Sequence, residues 1–143
     1  TPLYGCIDEE KYGIKELENS DLKINMGHTQ HIFKLKMCEI PKTKVNYPIV
    51  QTNNNDYYLN RSYDKSWNDA GWVFMDYRNN KSDFDKNTII YAHSRLDKTM
   101  FGSLSKVLKS NWYKNKDNHI IKISTPNENS LYQIFSVYFF FVI

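Results

Sequence analysis

Cysteine is almost missing from this chain. Cys6 and Cys38 are the two in 143 residues, too few for the disulfide framework of a small secreted scaffold. They read as reduced thiols; a bridge would need their Cα atoms within about 7 Å, which spacing alone leaves open. Long apolar runs are missing as well. No stretch approaches the ~20 residues of a membrane-spanning helix, and mean hydropathy is -0.66. Charge of one sign is scarcely in excess: 19 Lys+Arg against 16 Asp+Glu leaves +3. The lack of any run of like charges argues against the clustered basic face of a dedicated nucleic-acid binder. The sequence also carries no G-x-S-x-G elbow, no Gly-rich phosphate loop and no H-E-x-x-H. What it does hold is 41% apolar and 15% aromatic residues, enough to bury a core, and a length that fits one domain. The chain opens at Thr1-Pro2 without Met or signal peptide. We therefore expect a trimmed chain whose targeting segment lies outside it.

Residues 8–19 (DEEKYGIKELEN) predict a short helix, with Asp8 as cap and Tyr12 and Leu17 on one side, weakened by Gly13. From Ile32 to Ile40 apolar and polar residues alternate, which predicts a half-buried strand. Pro41-Lys42-Thr43 is a turn, and Val45–Gln51 an extended segment whose Pro48 suits an edge or bulge. The turn cluster 53–56 leads to a short strand at 57–59, then a polar loop with Trp67 read as buried. Trp72–Tyr77 and Asn87–Ala92 are strand candidates by β-branched and aromatic content. Thr99 is placed as the cap of a helix over about 100–110, on the spacing of Phe101, Leu104, Val107 and Leu108. Strands at 119–124 and from Leu131 onward complete a mainly β barrel or sandwich with helical decorations. The division expected is an N-terminal helical or irregular segment, 1–31, and a β domain, 32–143.

Residues 134–143 read IFSVYFFFVI. A strand this apolar requires cover on both faces and partners on both edges. Either the domain continues past Ile143 or another chain pairs with it, and we expect the first.

His93 stands where the apolar strand Ile89-Ile90-Tyr91-Ala92 ends, a placement that suits a general acid or base. The plainer alternative is a strand-end histidine bonded to backbone. His119 reads as a surface histidine. His28 and His31 have a His-x-x-His spacing open to zinc, but Cys6 and Cys38 are in no motif and far apart in sequence, so no metal or cofactor is expected. Asp76, Asp83, Asp85 and Asp97 form no ligand pattern and default to solvated surface, and the aromatics of 72–77 to core.

Five blocks together resemble the sortases, and within them class B: IPKTKVNYPIVQ (40–51), DYYLNRSYD (56–64), AGWVFMDYRN (70–79), NTIIYAHSRLDKTMFGSL (87–104) and YQIFSVY (132–138). They fall in the family's order and spacing over residues 40–138. The resemblance implies a sortase-like β-barrel, incomplete here, with an N-terminal helix and one helix after the His strand. It implies a cysteine transpeptidase that cleaves a C-terminal sorting signal, of Asn-Pro-x-Thr type, and joins the surface protein to a cell-wall peptidoglycan amine. That places it on the outer face of a Gram-positive membrane, held by an N-terminal anchor not present in this sequence. It implies a Cys–His–Arg site in which His93 is the general acid and base. The family's cysteine, in a Thr-Leu-x-Thr-Cys strand, and its arginine, one strand later, have no counterpart here. Cys6 and Cys38 precede His93, and Arg95 lies in the loop after it. The chain, if complete, is thus expected to be inactive. Ser94 replaces the family's frequent Asn, and INMGHTQHIFKLKM (24–37) replaces its Asn-Pro-Asp turn and Gly-Trp. The alternatives are a non-catalytic sortase-like remnant that binds peptide or shares strands in an oligomer, and an unrelated basic β-barrel that binds nucleic acid. Five ordered blocks argue against the last.

Overall fold

The structure, a computed structural model, describes residues 14–18, 21–26, 29–33, 36–80, 85–124 and 129–139, with side chains over 38–80, 85–123 and 130–139. Strands β1 (Ile14–Glu18), β2 (Asp21–Met26) and β3 (Thr29–Phe33) form an antiparallel meander. The helix expected over 8–19 is therefore overturned across its described part. A helix of that length gains too little to form unaided. β2 instead pairs on both sides, satisfying its backbone groups.

The strand expected over 32–40 is two strands in two sheets, for β3 ends at Phe33 and β4 (Lys36–Glu39) begins after it. In the second sheet β4 lies between β5 (Asn46–Ile49) and β8 (Ile120–Ser124), with β9 (Asn129–Gln133) outside β8, all antiparallel. Pro48 falls on β5, an edge strand, as its missing N–H requires. The turn at 41–44 closes by Ile40 N–H donating to Val45 O at 3.1 Å, with Lys42 left-handed at φ 57°.

Residues 57–59 are a 3₁₀ turn and not a strand. The cause is local: Asn54 Oδ1 accepts from the N–H groups of Asp56 and Tyr57, both at 2.9 Å, and such an Asx turn competes with extended backbone. The expected strands at 72–77 and 87–92 shrink to β6 (Phe74–Met75) and β7 (Ile90–Tyr91), paired antiparallel. Val50 bridges β6 in parallel, its N–H on Val73 O at 3.1 Å and its carbonyl accepting from Met75 N–H at 2.8 Å.

The expected helix after His93 is a 3₁₀ segment, Phe101–Leu108, followed by one α-turn, Ser110–Tyr113. Thr99 does not cap it. Its hydroxyl is spent on Asp97 Oδ1 at 2.6 Å, and Met100 enters the helix at φ 52°. The last expected strand stops at Gln133, and residues 134–139 run on without regular structure.

Beneath these elements Cys38, Val45, Tyr47, Ile49, Tyr58, Trp72, Val73 and Phe74 join Met100, Val107 and Trp112 in one buried cluster. Trp72 is its hub, edge-on to Tyr47 with centroids 5.7 Å apart and 4.6 Å from the ring of Tyr63. Its Nε1 donates to Pro48 O at 2.9 Å, which gives the indole the partner a buried N–H needs. Trp67, expected to be buried, is 65% exposed and bonds Asp69 at 3.0 Å. Over the described residues the sheets remain open.

Candidate functional site

His93 follows β7 by two residues, and its backbone is fixed before its side chain is. Its carbonyl accepts from Phe101 N–H at 2.9 Å, and Ser94 bridges Met100, so residues 94–100 close on themselves. Inside that loop Asp97 Oδ1 takes the Thr99 N–H at 3.0 Å and hydroxyl at 2.6 Å. These bonds hold the Asp97 carboxyl below its ordinary value. Lys98 and Met100 are left-handed at φ 68° and 52°, an unfavourable state for side chains with a Cβ. The second is offset by Met100 N–H donating to Tyr47 Oη in the core at 3.0 Å. Gly102 completes the closure: a Cβ there would lie 2.1 Å from Arg95 O.

The imidazole itself is exposed, and its Nε2 lies 2.7 Å from Leu59 O. A carbonyl has no proton to give, so Nε2 carries the hydrogen and Nδ1 is the basic nitrogen of the neutral ring. Leu59 O is fixed from below. Trp72 N–H donates to Tyr58 O at 2.9 Å, and Gly71, at φ 61°, packs its bare Cα against both carbonyls. The strand-end histidine is thus both backbone-bonded and open to solvent.

Other candidates separate from it. Arg95 turns to Asp97, 3.4 Å away. Cys38 is buried on β4, 4% exposed, where a thiol behaves as a small hydrophobe. His119 Nε2 bonds Tyr113 O at 2.7 Å, and its ring lies 5.8 Å from that of Trp112. Asp85 Oδ2 accepts from Asn79 Nδ2 and Asn80 N–H, both at 2.8 Å. Cys6, His28 and Asp83, and the side chain of His31, lie outside what is described.

Asp76 reverses its expectation outright. It is 2% exposed and accepts five hydrogen bonds. Oδ1 takes Arg78 N–H and Nε, both at 2.9 Å; Oδ2 takes Arg78 Nη2 at 2.8 Å and Asn55 Nδ2 and Tyr91 Oη at 3.0 Å each. The Arg78 guanidinium above all, then the Arg78 N–H, hold the carboxyl far below the carboxylate range against the opposing effect of burial. The same bond pushes Arg78 up, and the bond to Asp76 also raises the Tyr91 phenol. A carboxylate so fully donated to is a poor base, so Asp76 is an anchor. Its one signal in the sequence is position: it ends the run Trp72-Val73-Phe74-Met75, all of which are buried.

A pH dependence follows. The folded value is depressed, so the stabilisation is complete above the ordinary 3.8 and is lost as pH falls below it, where the unfolded chain binds the extra proton. Acid unfolding followed by tryptophan fluorescence should show a steep loss below about pH 4, and a shallower one in Asp76→Asn. Equal slopes would mean the carboxylate is not what titrates.

A family model described as the sortase domain matches residues 38–141. Sortase B of Listeria monocytogenes is 48% identical over 66 residues, covering 46% of this chain and 27% of that protein. Sortase B of Staphylococcus aureus is 35% identical over 96 residues, 67% of this chain and 38% of that one. Among solved structures, sortase B from Bacillus anthracis in complex with AAEK2 superposes with a TM-score of 0.68 at 32% identity, over 94% of this chain and 65% of that chain. A Staphylococcus aureus sortase B–substrate complex does so with a TM-score of 0.65 at 32% identity, over 72% and 47%. The chain spans about a third of the length of the two relatives compared by sequence.

Proposed function

The chain belongs to the sortase family, and from that premise we propose that its part in a class B transpeptidation is carried by His93. The substrate is a sorting signal of Asn-Pro-x-Thr type on a secreted surface protein, the acceptor a peptidoglycan amine, and the setting the outer face of a Gram-positive membrane. The observation that supports this reading is an exposed imidazole on a backbone pinned by β7 and Phe101, at the head of a loop whose Met100 is held by Tyr47. A thiolate adds to the Thr carbonyl, forming the acyl-enzyme as the bond to the next residue's nitrogen breaks, and the departing amine needs a proton. The acceptor amine must then lose one. Imidazole is the side chain suited to both transfers near neutral pH. With Nε2–H on Leu59 O, Nδ1 is the nitrogen that can take up a proton, and the cation then holds two donors. The nucleophile and the arginine are not supplied by these 143 residues at the family's positions, and buried Cys38 does not replace the thiol.

The test begins with the intact mass of the protein taken from its native cells, followed by cleavage of an Asn-Pro-x-Thr peptide. His93→Ala should lower cleavage by roughly 10³-fold or more. Unchanged cleavage would overturn the assignment. A second reading, a peptide-binding or strand-sharing remnant, is favoured by the exposure of Leu131, Phe135 and Tyr138, at 67%, 97% and 75%. It predicts a 17.0 kDa species that binds the peptide without cleaving it.

A further inference from the structure

We propose that Asp76 is a positioning residue for His93: one carboxylate ties the strand that delivers the imidazole to the turn that carries the imidazole's acceptor. The inference rests on the reading of His93 given above, yet its geometry is independent of any reaction.

Two arms meet on Asp76 Oδ2. Tyr91 Oη, on β7 and two residues before His93, donates at 3.0 Å. Asn55 Nδ2, at the start of the turn that ends in Leu59, donates at 3.0 Å. The circuit closes at the far side, where His93 Nε2 meets Leu59 O at 2.7 Å. Backbone bonds stiffen each arm. Asp76 N–H donates to Ile89 O at 2.9 Å, continuing the β6–β7 pairing, and Asn55 Oδ1 accepts from Tyr77 N–H at 3.0 Å. Gln51 Nε2 holds Asp76 O at 2.7 Å and Asn79 O at 2.8 Å from behind.

The charge matters as much as the shape. Asp76 faces only donors: the Arg78 fork, an amide N–H₂ and a phenol. An asparagine there would present its own N–H₂ to some of them and lose at least one arm. Arg78 pays for the buried charge, so Tyr91 and Asn55 are left to act as struts. A strut that slackens lets β7 and the 54–59 turn move apart, and the bond at risk is the one between the imidazole and Leu59 O.

The experiment is ¹H–¹⁵N NMR of the His93 ring in the whole chain, comparing wild type with Tyr91→Phe, Asn55→Ala and Asp76→Asn. Wild type should show the Nε2–H tautomer with a slowly exchanging proton. Tyr91→Phe and Asn55→Ala each remove one arm and keep the Asp76–Arg78 pair, so both should fold. In each the Nε2–H should exchange about tenfold faster, the factor that corresponds to the loss of one hydrogen bond's worth of restraint, with a mixed tautomer. Folded single variants whose tautomer and exchange match wild type would overturn the proposal and leave Asp76 as a stabilising anchor alone. The decision rests on Tyr91→Phe and Asn55→Ala, which leave the Asp76–Arg78 pair in place. The reading of His93 fails separately: cleavage would then survive His93→Ala while the ring still loosened in the strut variants.

Discussion

Replacing Gly71 by alanine should destabilise the protein by about 3 kcal/mol, from two independent costs. Gly71 sits at φ 61°, where a Cβ costs about 1–2 kcal/mol. That Cβ would also stand 2.5 Å from Tyr58 O, 2.7 Å from Leu59 O and 2.9 Å from Leu59 C. Every one of these is backbone, and all are held by further bonds, so relief by a rotamer change is closed and overpacking adds about 1–3 kcal/mol. Thermal denaturation should show a midpoint lower by roughly 10 °C. The displaced carbonyl is the acceptor of His93, so the imidazole should lose its anchor in whatever fraction stays folded. A midpoint within about 2 °C of wild type would show that residues 58–59 yield easily, contrary to their bonding.

Trp72→Ala should cost about 4 kcal/mol, within the range for emptying a buried aromatic site. The indole is 7% exposed. Its removal leaves Tyr47 and Tyr63 without their common neighbour and Pro48 O without its donor, and an orphaned buried carbonyl adds its desolvation cost. Against a typical total of about 5–15 kcal/mol such a loss brings the chain close to unfolding at room temperature. Trp67→Ala supplies the contrast. Trp67 is 65% exposed, with an Arg61 guanidinium 5.9 Å from its ring and Asp69 on its Nε1. Its removal should change stability by no more than about 0.5 kcal/mol. Equilibrium urea unfolding of both variants measures the difference, and equal effects would refute the burial assigned to either.

The comparison of these two tryptophans also shows what the sequence discloses. Pattern finds a strand where apolar residues run together and a neighbour in sequence pairs with it, as at Ile120–Ser124 beside β9. It fails where the deciding partner is distant. Trp72 and Trp67 are the same residue type five positions apart, and the approach of Pro48 and Tyr47, with Tyr63, buries the first of them. The turn at 57–59 was written in Asn54, yet two tyrosines and a leucine outweigh one amide in any propensity count. At 14–18, register against β2 overrode a weak helical signal. The site divides in the same way. The place of His93 at the end of an apolar strand was readable from pattern, while the role proposed for it came from the resemblance. Asp76 was not, because a carboxylate is solvated unless donors converge on it, and its donors come from positions 55, 78 and 91. The resemblance carried Asp76, Arg78, Tyr91 and His93 in its blocks, though not Asn55, without saying what they do for one another.

The strand order β5-β4-β8-β9 has a consequence in time. β4 acquires its first partner within about ten residues, but its second edge waits for residues 122–124. The intervening eighty or so residues, which contain β6, β7 and His93, must therefore be synthesised and brought back as one large loop before the sheet's centre is secured. While that loop is still open, β4 offers a bare edge to whatever strand reaches it first. Slow growth of the chain between Val50 and His119 is thus the stage at which a holdase would do most good. The bonds that seat the histidine, to Leu59 and from Phe101, lie wholly inside that loop and do not depend on its closure.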